Sequence, residues 1–201
     1  HIFLPYYPDL AYIHPAPVND ITQECRVLYA GALTKEKGWK RVMDTMCEAA
    51  KKMPQTHFYL DVITKDDCLD LPTYDNLSVR KLDFMPFLQF CRQIVDYDIF
   101  LDLRDIDFEN TRCLPIKLFY YMACGRPSIY ANLSAISKGV SEIHQCAQLV
   151  NNVVEAANAL CEYVCNRELY QSHCSNALHA SINKYNWNHI KSSFIQLIYE
   201  V

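Results

Sequence analysis

The stretch Leu114-Pro115-Ile116-Lys117-Leu118-Phe119-Tyr120-Tyr121-Met122-Ala123-Cys124-Gly125-Arg126-Pro127 runs straight into Ser128-Ile129-Tyr130. Its first half predicts a helix over residues 115–124. Proline stands at the first turn, where a missing amide costs nothing, and Gly125 lies just past the end, where a left-handed residue closes a helix. Ser128-Ile129-Tyr130 then reads as a short strand. Upstream, Ile99-Phe100-Leu101-Asp102 is an apolar run of strand length, separated from the helix by a polar loop over 103–114. A strand, a helix and a strand in so short a span form a crossover between parallel strands, which decides for an α/β architecture.

Working outward, the same alternation continues. Arg26-Val27-Leu28-Tyr29-Ala30-Gly31 reads as a buried strand ending in glycine. Trp39, Val42, Met43, Met46, Ala50 and Met53 follow at helical spacing, and Pro54 stops that helix. Residues 57–63 and 77–82 read as strands, 86–95 as a helix, 147–150 as a last strand, and 153–166, 168–184 and 187–200 as helices. Residues 1–17 read as an extended linker because Pro5, Pro8, Pro15 and Pro17 block a helix. The expected organisation is an entry segment over 1–24, a Rossmann-like doubly wound parallel-sheet domain over 25–184, and a C-terminal helix over 185–201. Ligands of such sheets sit outside the carboxyl ends of the strands, which points to the loops after Ala30, Ile63 and Leu101.

The 201 residues suffice for one domain with a real core, and hydrophobic residues at 51% with charged residues at 21% fit a globular protein. A net charge of −4 argues against nucleic acid as a partner. Ten cysteines are spread along the chain without a CxxC pair, which reads as reduced core cysteines of a cytoplasmic protein rather than a disulfide framework. Cys161, Cys165 and His173 come nearest to a metal cluster, but Cys161 and Cys165 lie four apart on one helical stripe, where packing explains them. No apolar run reaches the ~18 residues of a membrane helix. The start at His1 rather than Met reads as a piece of a longer chain. Sequons at Asn76 and Asn132 are chance matches in a cytoplasmic reading. Asp102, Asp105, Asp107 and Glu109 make an acidic loop, read as solvated rather than as a cation site. No nucleophile elbow, Walker loop or Gly-x-Gly-x-x-Gly occurs, and the seven histidines show no paired ligand spacing.

The order of these motifs carries a resemblance. Val27-Leu28-Tyr29-Ala30-Gly31-Ala32-Leu33-Thr34-Lys35-Glu36-Lys37-Gly38 resembles the strand, Gly loop and Lys-Gly of family-4-type (group 1) retaining glycosyltransferases. Leu114–Pro127 is similar to their Pro-x-Lys-Leu-x-Glu-Tyr-Met-Ala-x-Gly-x-Pro helix, Asp98–Asp102 to the strand before it, and Tyr185-Asn186-Trp187-Asn188-His189 to their closing aromatic-Trp segment. The resemblance spans about residue 26 to the end. It implies one half of a GT-B fold, the half that binds a nucleotide-diphosphate sugar as substrate. It also implies a missing N-terminal half that holds the acceptor and makes any peripheral membrane contact, a role in polysaccharide biosynthesis, and no metal or other cofactor required by the fold.

Chemistry fits that expectation at named positions. Gly31 lets backbone approach a diphosphate, Lys37 and Gly38 follow it, and Lys37 supplies a point charge. The helix opening at Leu114 and Pro115 offers free amides, with Lys117 either facing the diphosphate or exposed. Met85 and Phe87 either flank a nucleobase or staple the start of the helix at 86. The family's acidic pair, spaced eight apart, falls on Arg112 and Tyr120, so both carboxylates are missing, and Ala32 replaces the usual arginine. Tyr120 either bonds a ribose hydroxyl or packs in the core, and Arg112 either grips the diphosphate or is solvated. Beside the transferase reading stand a catalytically degenerate partner or scaffold domain, and a sugar-nucleotide enzyme such as an epimerase, whose carboxylates and histidine are not found.

Overall fold

The structure, a computed structural model, describes residues 6–67 and 74–199. The first five residues of the expected linker, Pro5 among them, and the end of the expected last helix lie outside the described residues. In chain order the elements are β1 Glu24–Ala30, α1 Trp39–Lys52, β2 His57–Thr64, β3 Leu77–Asp83, α2 Phe87–Gln93, β4 Ile99–Asp102, α3 Ile116–Ala123 and β5 Ser128–Ala131. They continue with α4 Ser134–Gly139, α5 Ile143–Cys146, β6 Ala147–Val150, α6 Val153–Cys165, α7 Arg167–Asn183 and α8 Trp187–Tyr199. The six strands form one parallel sheet in the order β3-β2-β1-β4-β5-β6. The order reverses between β1 and β4, the place where such sheets open a crevice at their carboxyl ends.

Burial explains the strands. β1, in the middle of the sheet, is buried on both faces from Val27 onward, and β4 and β5 are buried throughout, as a parallel sheet covered on both sides requires. One buried cluster joins the sheet to α2, α3 and α5, the other joins it to α1 and α6, and α7 contributes to both. Phe100 of β4 stacks on Tyr121 of α3 with ring centroids 3.9 Å apart, which fixes α3 over the switch point.

Three details differ from the sequence expectations. Pro115 is the residue before α3, extended at φ −69° and ψ 120°, and Ile116 opens the helix; Gly125 closes it at φ +64° as expected. Two short helices, α4 and α5, occupy residues to which the sequence assigns no element. The entry segment is not a free linker. Asp9 accepts the Ala11 amide at 2.9 Å and starts a 3-10 turn over Leu10–Tyr12, which fits between Pro8 and Pro15 because it needs so few bonds. Ile13 and Ile21 are buried, and the enclosed Arg126 guanidinium donates to the Ala16 and Pro17 carbonyls at 3.0 and 2.7 Å.

Candidate functional site

A cavity of about 570 Å³ opens at the carboxyl ends of β1 and β2, beside the switch point. Its floor is Ala30, Gly31 and Ala32 after β1 and Ile63 to Asp66 after β2; its wall is Phe84, Met85, Phe87 and Phe90; Lys117 enters from the first turn of α3. Phe84 and Phe87 are exposed and line the cavity, while Met85 lines it and is also part of the buried core cluster.

The loop after β1 is held from below. The Tyr29 hydroxyl donates to the Ala32 carbonyl at 2.6 Å, with the Lys37 carbonyl at 3.2 Å beyond it. That hydroxyl lies 2.9 Å from where a Cβ on residue 31 would stand, which gives Gly31 a packing reason besides any ligand's approach. The Gly31 amide is already donated to Ile63, at 3.0 Å, and the Leu33 amide to the Asp66 carboxylate, at 2.5 Å. The loop therefore offers fewer free amides than a glycine-ended strand suggests.

Lys117 is the cation most committed to this place. Its ammonium donates to the Ala30 carbonyl. Burial pushes its pKa down, Arg104 and Lys37 push the same way, and Asp102 opposes them. Asp102, buried at the end of β4, is gripped by Arg104 through two bonds of 2.8 and 2.5 Å.

The structure brings Gly31, Met85, Phe87 and Lys117 to one cavity. Tyr120 adjoins it through an edge contact with Phe87, centroids 5.7 Å apart, and burial raises its phenol pKa. Lys37 lies near enough to Lys117 to disfavour its charge, yet its ammonium pairs with Glu36 at 2.6 Å. The others are elsewhere. Gly38 is buried, at φ +81°, against the Leu103 carbonyl. Arg112 lies over the Phe108 ring at 3.4 Å, on an exposed turn. Leu114 rests against Gly139, and Pro115 leads into α3 outside the cavity lining. Tyr29, Asp66 and Arg104 were missed by sequence reading; a carboxylate in the loop after the second strand was the one signal that pointed to any of them.

The acidic loop is bonded and partly enclosed at Asp102 and Asp105, and exposed, as expected, at Asp107 and Glu109. Asp102 pairs with Arg104, Asp105 with Arg41, and Asp107 accepts the Asn110 amide at 2.7 Å. Among the described residues no three His, Cys, Asp or Glu side chains gather as a metal site. Cys161 is half-buried and His173 bonds Tyr163 at 2.9 Å, while Cys165 is exposed rather than packed in the core as its spacing suggested. Among the described residues no helix is long and apolar enough to cross a membrane.

No protein-family model matches the chain, and no curated protein matches its sequence. Solved structures do match its fold. The C-terminal domain of a glycosyl transferase group 1 family protein, LpcC of Francisella tularensis, superposes with a TM-score of 0.65 at 14% identity, covering 89% of this chain and 98% of that one. The chain has the GT-B C-terminal-domain fold. Two larger GT-B neighbours extend the likeness. Alr3699/HepE of Anabaena matches with a TM-score of 0.71 at 16% identity over 96% of this chain and 56% of that one. Sucrose-phosphate synthase of Thermosynechococcus elongatus matches with a TM-score of 0.67 at 16% identity over 96% and 51%. The chain thus spans about half the length of these two proteins.

Proposed function

We propose that this chain is the donor-binding half of a retaining glycosyltransferase that moves a sugar from a nucleotide-diphosphate donor to a glycan or lipid-linked acceptor. The observation that carries the reading is the joining, in one cavity at the switch point, of an aromatic wall with an enclosed lysine on the first turn of α3. A nucleobase is apolar on its faces and suits Phe84, Met85 and Phe87; a diphosphate suits the Lys117 ammonium, whose positive charge the diphosphate itself favours. HepE was solved in complex with UDP-glucose, a donor of this class. In transfer, Lys117 would steady the leaving diphosphate with charge already in place, and Tyr120 would meet the ribose from beside Phe87. A second half would bring the acceptor, exclude water by closing, and make any membrane contact, so this chain binds its donor without turning it over. We place the whole protein in the cytoplasm, in polysaccharide biosynthesis, with no resident metal.

A second reading, a degenerate domain that serves an active homologue as partner or scaffold, draws support from Arg112 and Tyr120 standing where a carboxylate pair is expected. Calorimetry with UDP, GDP and ADP and their sugars separates the two. The donor reading expects binding between micromolar and millimolar, weakened at least tenfold by Lys117→Ala, since a charge-assisted bond contributes roughly 1.5–3 kcal/mol. Binding by no member of the panel would leave the scaffold reading standing.

A further inference from the structure

Asp66 is the one carboxylate among the described residues lining the cavity. Its Oδ2 accepts the Leu33 amide at 2.5 Å across the mouth of the loop after β1, and the Thr64 hydroxyl lies 3.4 Å from the same oxygen. The Asp66 amide in turn donates to Thr64 Oγ1 at 3.2 Å, so the carboxylate is set by its own backbone turn as well as by the loop it grips. Neither cavity cation pairs with it in an ion pair. Lys117 donates to the Ala30 carbonyl, and the Lys65 ammonium sits 4.3 Å from the centre of the Phe84 ring. The neighbouring Asp67 behaves differently, fully exposed and 3.6 Å from Lys81. An anionic group entering between Ala32 and Lys117 therefore meets a carboxylate already seated on a loop amide, in a partly enclosed space where like charges repel more strongly than in water.

We propose that Asp66 is a specificity-determining residue that sets how much negative charge the cavity accepts. It takes the loop amide that a phosphate would otherwise claim, so it penalises each added phosphate and leaves the nucleoside part of a ligand untouched. This rests on the donor-site reading above. Asn at position 66 keeps an oxygen for the Leu33 amide but loses the charge, so Asp66→Asn preserves the loop and removes the selection.

The test is calorimetry on the wild-type chain, Asp66→Asn and Asp67→Asn with uridine, guanosine, their mono- and diphosphates, and inorganic pyrophosphate. We expect Asp66→Asn to tighten the diphosphates about tenfold or more, the monophosphates less and the nucleosides not at all, with Asp67→Asn like the wild type. Equal gains in Asp67→Asn, or an unchanged ratio of diphosphate to nucleoside affinity in Asp66→Asn, overturns the proposal and leaves the donor reading intact. Loss of nucleoside affinity in Asp66→Asn also overturns it, assigning the carboxylate to ribose hydroxyls instead. If no nucleoside or nucleotide binds any variant while pyrophosphate binds Asp66→Asn more tightly than wild type, the charge selection holds and the donor reading falls. Silence from every ligand with every variant defeats both.

Discussion

A methyl group on residue 38 would fall on the Leu103 carbonyl and within 2.7 Å of the Arg104 nitrogen, both backbone atoms that cannot swing aside. Its φ of +81° adds strain for any side chain. On residue 31 the same methyl meets only the Tyr29 hydroxyl end, at 2.9 Å, the tip of a side chain rather than backbone. The two glycines flanking the loop thus differ in kind, although the sequence presents both as loop glycines beside a phosphate site. Gly38→Ala should destabilise the fold by about 2 kcal/mol or more, from strain and overpacking together. Gly31→Ala should cost clearly less, and part of that cost should return when Tyr29→Phe is added. Urea unfolding midpoints of the wild type and these variants check this; equal losses at 31 and 38 would mean that the two glycines face the same obstacle.

Elements are where the sequence spoke most plainly. The strands and α1, α3, α6 and α7 were legible because each is long or apolar enough to show a period, and Gly125 and Pro54 mark their ends. α4 and α5, six and four residues long, are too short to show one. Of the residues that line the cavity, Gly31 was legible from the rule that ligands gather at strand ends, and Lys117, Met85 and Phe87 from the family resemblance. Asp66 lies in a loop that rule points to, but its bond was hidden because its partner Leu33 lies 33 positions away and only the parallel register of β1 on β2 brings them together. Arg126 was equally hidden, because no spacing in the sequence shows that the entry segment, 109 and 110 positions earlier, accepts its guanidinium bonds. The α6–α7 pair carries a pH-sensitive contact that sequence spacing also conceals, the buried His173 ring against the Tyr163 hydroxyl. Burial lowers the His173 pKa, with Glu162 opposing. A lowered histidine takes up its proton in the unfolded chain first, so its contribution is present above about pH 6.5 and is lost as pH falls through the folded value. Asp98, raised by burial, acts in the opposite sense, so the comparison must isolate His173. The stability difference between wild type and His173→Gln should shrink from pH 7.5 to pH 5, measured by urea unfolding at each pH. A difference constant across that range would show the imidazole is not held neutral.

At the scale of the whole molecule, the question is where the packed body stops. No residue of α8 is buried, and Phe194, Ile195, Ile198 and Tyr199 stand exposed along it. It is tied to the body near its start, where the Trp187 amide donates to the Pro8 carbonyl at 2.8 Å and a His189 ring nitrogen lies 3.1 Å from the Ile182 carbonyl. The two residues before it are different. Tyr185 lies among Tyr7 and Phe119, with centroids 5.6 and 5.5 Å away, and its hydroxyl donates to Glu142 at 2.8 Å. The buried Asn186 amide donates to the Ser181 and Ile182 carbonyls, each at 2.8 Å, and so closes the end of α7. The packing boundary therefore falls between Asn186 and Trp187, two residues later than the sequence division at 185. A chain ending at Asn186 should unfold within about 2 kcal/mol of the full chain, because α8 buries none of its residues and each hydrogen bond at its start contributes about 1 kcal/mol. A chain ending at Lys184 should lose about 3 kcal/mol or more, because an aromatic ring leaves the core and the last carbonyls of α7 lose their donor. Unfolding midpoints of the two truncations decide it. A large loss on removing α8 alone would mean that the helix is held by contacts its exposure does not reveal, and a small loss on removing Tyr185 and Asn186 would mean that α7 needs no such closure.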